Sequence, residues 1–320
     1  MSEIKTYCLK NEYLEVHVLN YGGIIDKIYC ADKAGTMANV VLSYQDQADY
    51  IQIPGPYLNA LVGPVAGRIA GGKYHQRVLS CNDGSNHLHG GKKGISFDYF
   101  EMEQISEEKL VARLEKKHDE DGYRGIFHYI ITYTLVQNAL VLNYDVHVSE
   151  PNLLYLTSHL YFNLSGGLKR TVSDEILCSD FKKMIYVDET CAPSKVVDIA
   201  RGSTFDFSEG KCIGDVIKQG HEQFAFTRGI DHPFFVNGKI VLADEVSGRQ
   251  LTITSDAPCA VIYSANFIDE TMTFENNVKG CPQLGLAIEL QDYANGIHLG
   301  LGKETTCYSQ RTVYAFEVKK

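Results

Sequence analysis

Apolar and polar residues alternate at period two along much of the chain. Tyr13-Leu14-Glu15-Val16-His17-Val18-Leu19 is the first such run, Tyr21-Gly22-Gly23 breaks it, and Ile24 to Cys30 and Asn39 to Tyr44 resume the rhythm. Successive side chains of a strand point to opposite faces, so the pattern predicts half-buried β-strands. Arg124 to Leu135 and Ala139 to Val148 read as strands around a Gln137-Asn138 turn. Lys239 to Leu242, Gln250 to Thr254, Cys259 to Tyr263 and Val313 to Val318 repeat the signal. Ser106 to Lys117 has the acidic composition of a helix, but Leu110-Val111-Ala112-Arg113-Leu114 favours a strand. Lys211 to Gln219 reads as one short helix. Gly and Pro are spread as turn residues, with no pooled linker and no repeat at a fixed period. The expectation is one all-β domain over residues 1–320, a sandwich of many short strands. Gln47 to Tyr57 and Cys191 to Gly210 would be loops on the rim of a groove.

A few polar side chains interrupt this pattern. Tyr155 to Leu164 begins as a strand and places His159 and Tyr161 on one face, with Ser158, Leu160 and Phe162 on the other. An imidazole beside a phenol and Asn163 suits a ligand site; a core histidine bonded to a backbone carbonyl is the alternative. In Gly285 to Tyr293, Ala287, Glu289 and Gln291 share one face and Leu286, Ile288 and Leu290 the other. An acid there is either the solvent side of an edge strand or a functional carboxylate, its pKa raised by desolvation towards a general base's range. Asn86-His87-Leu88-His89-Gly90-Gly91 carries two imidazoles at i and i+2, on one side of a strand, a spacing that suits a metal. No Glu follows closely and no closing set of Cys or His can be assembled, so no metal is expected. The paired glycines place His89 where a partner comes close. Arg68 is the strong donor of the glycine-rich stretch Val62 to Gly72, or else a surface Arg in a turn. Asp231, in Gly229-Ile230-Asp231-His232-Pro233-Phe234, is a site acid or an Asx-turn.

Composition narrows the classes. A formal net charge of −10 disfavours nucleic acid and membrane surfaces. Nine cysteines without a C-x-x-C pair suit a reduced compartment with buried free thiols. The first residues lack a signal-peptide core, and no apolar run approaches the roughly 18 residues of a membrane helix, so a cytoplasmic location is expected. Dinucleotide, phosphate-loop and nucleophile-elbow motifs are missing. No cofactor is therefore implied, and a Glu opposite a His can move protons on a polyol or carbonyl compound unaided.

The ordered set of motifs resembles the aldose 1-epimerase (galactose mutarotase) family, from about Tyr13 to Phe316. Val62-Gly63-Pro64-Val65-Ala66-Gly67-Arg68-Ile69 is similar to its Gly-rich segment, Leu88-His89-Gly90-Gly91 to its Leu-His-Gly-Gly, and Asp121-Gly122-Tyr123-Arg124-Gly125 to its Asp-Gly loop. Thr157-Ser158-His159-Leu160-Tyr161-Phe162-Asn163-Leu164 resembles its most specific motif; Asp231-His232-Pro233-Phe234 and Tyr308 to Phe316 also fit. The resemblance implies a β-supersandwich with a sugar in an open cleft and an enzyme that interconverts the α and β anomers of a free aldohexose such as galactose or glucose. It implies Glu289 as the base at the anomeric hydroxyl, His159 as the acid at the ring oxygen, His89 also near that oxygen, and Arg68 and Asp231 on sugar hydroxyls. Tyr161 joins them as a substrate contact; with 20 Tyr and no Trp, any stacking on a sugar falls to Tyr or Phe. Gly67 stands where many members carry Asn, Arg124 replaces a Pro, and Leu290 occupies a position that is often Thr or Cys. These departures bear on substrate range. A hexose-6-phosphate epimerase would need a cationic pocket, which one Arg in an acidic chain does not supply. A non-catalytic sugar-binding or sensing module on the same scaffold is the main alternative, and a lyase or hydrolase on a similar sandwich would need a longer chain. A monomer or homodimer is expected.

Overall fold

Residues 3–319 are described by the structure, a computed structural model. The longest alternating runs build a nine-stranded antiparallel sheet. Its order is Glu101–Ser106, Lys109–Lys117, Ile126–Val136, Ala139–Asn152, Thr305–Val318, Arg249–Ser255, Ile240–Ala243, Ile176–Cys178 and Lys211–Cys212. In Ile126–Val136, Phe127, Tyr129, Ile131, Tyr133 and Leu135 are buried and the residues between them are not. A six-stranded antiparallel sheet packs against this one: Tyr161–Phe162, Leu286–Gln291, Cys259–Tyr263, Asp231–Phe235, Lys183–Val187 and Pro193–Asp198. Leu286, Ile288 and Leu290 join Leu140, Leu142, Tyr144, Leu251, Ile253 and Tyr314 in the core. The rings of Phe162 and Tyr314 meet with centroids 5.7 Å apart, and the Gln310 amide donates to the Leu290 carbonyl. Each such apolar side chain contributes about 1.5–3 kcal/mol by leaving water.

A four-stranded sheet, Thr6–Lys10, Leu14–Leu19, Ile25–Ala31 and Met37–Asn39, is tied to the sandwich by Arg249. This fully buried guanidinium donates to the carbonyls of Cys30, Thr36, Leu164 and Ser165. A buried charge is tolerated where its donors are all satisfied.

Several elements differ from the pattern-based expectation. The strand expected through Tyr44 ends at Asn39; Val40 to Tyr44 stays buried without a continuous ladder, the Val40 N–H donating to the Ile28 carbonyl and single bridges forming at Val41–Phe162 and Tyr44–Phe274. Ser106 to Lys117 is strand from Lys109, as Leu110 to Leu114 favoured, whereas Lys211–Cys212 is strand before the helix Ile213–Gln219. Cys191 to Gly210 is not all loop, since Pro193–Asp198 pairs with Lys183–Val187. Gln47 to Tyr57 includes the helical turn Asp49–Gln52. All nine cysteines are free, but only Cys30 and Cys259 are buried, while Cys8, Cys81 and Cys307 are exposed. Among the described residues no helix is long and apolar enough to cross a membrane.

Candidate active site

Glu289 lies on Leu286–Gln291, a strand with neighbours on both sides: Val261 is its partner on Cys259–Tyr263, and Ala287 pairs with Tyr161. The edge-strand alternative is thereby excluded. Its carboxyl is 3% exposed and turns to the face away from the core, into a cavity of about 370 Å³. Arg68, His89, His159, Tyr161 and Asp231 line the same cavity, so the structure brings together all six residues singled out in the sequence.

His159 is not on one continuous strand as expected. Thr157–Ser158 pairs with Leu61–Val62, and Tyr161–Phe162 pairs with Leu286–Gln291; His159 and Leu160 sit in the switch between them. Asn59 fills the gap in the ladder. Its backbone N–H donates to the His159 carbonyl at 3.1 Å, its side-chain oxygen accepts the Tyr161 N–H at 2.9 Å, and its side-chain amide donates to the Leu42 carbonyl. The break preserves the expected facing: the His159 and Tyr161 rings stack with centroids 4.9 Å apart. The Tyr161 hydroxyl donates to the Pro56 carbonyl, so this residue offers a ligand its ring rather than its oxygen.

His159 Nε2 and Glu289 Oε1 are 3.3 Å apart. Burial disfavours charge on both, pushing the Glu289 carboxyl well up and the His159 imidazole down to about 4. Nearby Asp231 adds to the rise of Glu289 and Arg68 opposes it. Groups this close titrate as a unit, so near neutrality the pair holds one proton between them. His159 Nδ1 and Glu289 Oε2 have no protein partner.

Arg68, on Arg68–Ile69, pairs with His87–Leu88. Its Nε donates to Asp83 at 2.6 Å and its Nη1 lies 3.9 Å from Asp231. Burial works against the guanidinium charge, but Asp231 and Asp83 more than restore it. Asp231 opens the strand Asp231–Phe235 rather than an Asx-turn, and burial raises its carboxyl pKa while Arg68 pulls it down.

The two histidines of the Asn86 to Gly91 stretch do not share a face. The strand ends at Leu88, and His89 takes a left-handed conformation, φ 52°. His87 is wholly buried, bonded to the Ser80 carbonyl and the Tyr123 hydroxyl. His89 instead enters the cavity. Gly67 donates its N–H to His89 Nδ1 and accepts the His89 N–H on its carbonyl, both at 3.1 Å. The Nδ1 contact assigns the ring proton of the neutral form to Nε2. Burial, then His159, holds the His89 pKa well below the usual range, so this ring is a neutral donor. Gly67 itself has φ 74°, and a Cβ there would stand 2.8 Å from the Ala294 Cβ.

His89, His159 and Glu289 each offer a ligand atom within 4.8 Å of the others, the one plausible metal set in the cavity. For His89 Nε2 to coordinate, its proton would have to move to Nδ1, against the Gly67 N–H. The cavity is better matched to a ligand rich in hydroxyls.

Pattern reading missed Asn59, Tyr57, Asp83, Tyr263 and Phe267. Tyr57 packs on the His89 ring at 4.6 Å; Tyr57, Tyr263 and Phe267 line the cavity. Asp83, in Asn82-Asp83-Gly84-Ser85, reads as an ordinary turn, and no signal in it points to Arg68.

The family model described as aldose 1-epimerase matches residues 5–308. The galactose mutarotase of Homo sapiens is 28% identical over 308 residues, covering 92% of this chain and 87% of that protein. A galactose 1-epimerase from Lactobacillus acidophilus NCFM has a similar structure, with TM-score 0.87 and 26% identity, covering 100% of this chain and 96% of that one. An aldose epimerase homologue from C. elegans gives TM-score 0.89 at 24% identity, covering 99% and 100%.

Proposed function

The chain belongs to the aldose 1-epimerase family, and from that premise we propose that it interconverts the α and β anomers of free aldohexoses by opening and reclosing the sugar ring. The observation that carries the reading is the Glu289–His159 pair, an acid and an imidazole 3.3 Å apart in the wall of one cavity. Ring opening needs one group to take the anomeric hydroxyl proton and another to protonate the ring oxygen. Glu289 takes the first proton and His159 supplies the second; the bond between C1 and the ring oxygen breaks, leaving the open-chain aldehyde. The C1–C2 bond turns and the ring closes on its other face. Closing exchanges the two roles, so the pair ends each turnover with the one proton it began with. His89 Nε2–H donates to the ring oxygen, and Arg68 and Asp231 hold hydroxyls, fixing the sugar against the pair.

Arg68 is already countered by Asp83 and Asp231, and among the described residues it is the only Lys or Arg that lines the cavity. A sugar phosphate would meet no uncommitted cation among these lining residues, which supports a free hexose over a hexose 6-phosphate. Polarimetry tests the proposal: with fresh α-galactose or α-glucose the rotation relaxes far faster than in buffer, while the 6-phosphates relax at the buffer rate. Sugar binding with relaxation at the buffer rate would instead make the protein a sugar-binding or sensing module.

A further inference from the structure

We infer that Asp121, which lies outside the cavity lining, is a positioning residue that sets His89 in place for the reaction. The inference rests on the role given to His89 above. The Asp121 side chain is fully buried, and its carboxylate is the anchor of the turn that follows His89. It accepts the Lys92 N–H at 2.9 Å, the Lys93 N–H at 2.8 Å and the Ser80 hydroxyl. The turn is held from both sides. A Cβ on Gly91 would fall 2.3 Å from Asp121 Oδ1, and one on Gly90 would fall 2.0 Å from the Gly63 carbonyl oxygen. With its exit fixed by Asp121 and its entry by the Arg68–Leu88 pairing, the chain takes at His89 the left-handed conformation that sends the ring into the cavity. Ser80 extends the brace: its carbonyl receives the buried His87 ring and its N–H donates to the Asp121 carbonyl.

Only a carboxylate meets the geometry. Three donors converge on two oxygens, and every contact needs an acceptor. In Asp121→Asn one oxygen becomes an NH2 that faces a donor, so the turn loses an anchor while the volume is unchanged.

A kinetic cycle tests this with intact protein. In the native background Asp121→Asn lowers kcat about ten- to a hundredfold with little change in KM, as expected of a misplaced catalytic group. In a His89→Ala background, already slowed about a hundredfold, Asp121→Asn lowers kcat no further. An equal drop in both backgrounds would overturn the inference and leave Asp121 a purely structural residue. Native kcat in His89→Ala alone would remove His89 from the reaction, and the inference with it. Thermal unfolding checks that each variant is folded. Should Asp121→Asn not fold, Ser80→Ala deletes one of the three contacts and is read in the same cycle, with a smaller loss.

Discussion

The charge balance around Arg68 gives a quantitative test. Arg68 Nη1 and Asp231 are 3.9 Å apart, and both side chains are mostly shielded from water. At an effective dielectric near 20, charges about 4 Å apart attract by about 4 kcal/mol, part of which offsets their desolvation. Arg68→Met removes the cation and leaves Asp231 beside Glu289 with no counter-charge. The expected loss of stability is about 3–5 kcal/mol, the usual result of orphaning a buried partner. Asp231→Asn costs less, about 1 kcal/mol, because Asp83 still holds Arg68 at 2.6 Å. The double variant regains part of the loss, since no carboxylate then stands unpaired at position 231, with a coupling of about 1–3 kcal/mol. Urea unfolding of the four proteins at pH 7, with a shared m-value, measures each term. Effects that simply add, to within about 0.5 kcal/mol, would mean that the two groups do not interact and that the cavity's cation is uncommitted.

Other expectations follow from the same geometry. The pair holding one proton is the competent form, and falling pH inactivates it by adding a second proton to the pair, which burial resists at His159 by lowering its pKa. The acid limb of kcat therefore lies below the ordinary histidine range near pH 6.5; a limb within that range would mean that His159 titrates as if exposed. Asn59→Ala leaves the Tyr161 N–H without its partner and costs about 1–3 kcal/mol. It also lowers kcat by loosening the switch that carries His159, and native kcat with lowered stability would show that the switch holds without it.

The fold was readable where one face of a strand is buried and the other is wet. Ile126–Val136 and Ala139–Asn152 announce themselves because packing on one side leaves a period-two signature. Leu286–Gln291 is buried throughout, and there an acid inside an apolar run was itself the signal. Thr6–Lys10 and Pro193–Asp198 carried little pattern because most of their side chains are exposed or half-exposed. The six site residues were legible because each is a polar exception to its surroundings or part of a family motif. Their supports were not. Asn59 and Asp83 look like turn residues, Asp121 stood out only as the start of an Asp-Gly loop, and what they do depends on contacts made across the fold: Asn59 with Tyr161, Asp83 with Arg68, Asp121 with the turn after His89. Two histidines at i and i+2 suggested a shared face, but the left-handed backbone at His89 separates them, and that conformation follows from the glycines beyond it and the wall they meet.

The most direct measurement of the central claim is the optical rotation of fresh α-galactose with Glu289→Gln, at a sugar concentration that saturates both proteins. Calorimetry should find sugar bound about as tightly as by the native protein, while kcat falls by roughly 10²–10⁴. Native-speed relaxation by Glu289→Gln would contradict the account, because the proton of the anomeric hydroxyl would then have gone elsewhere.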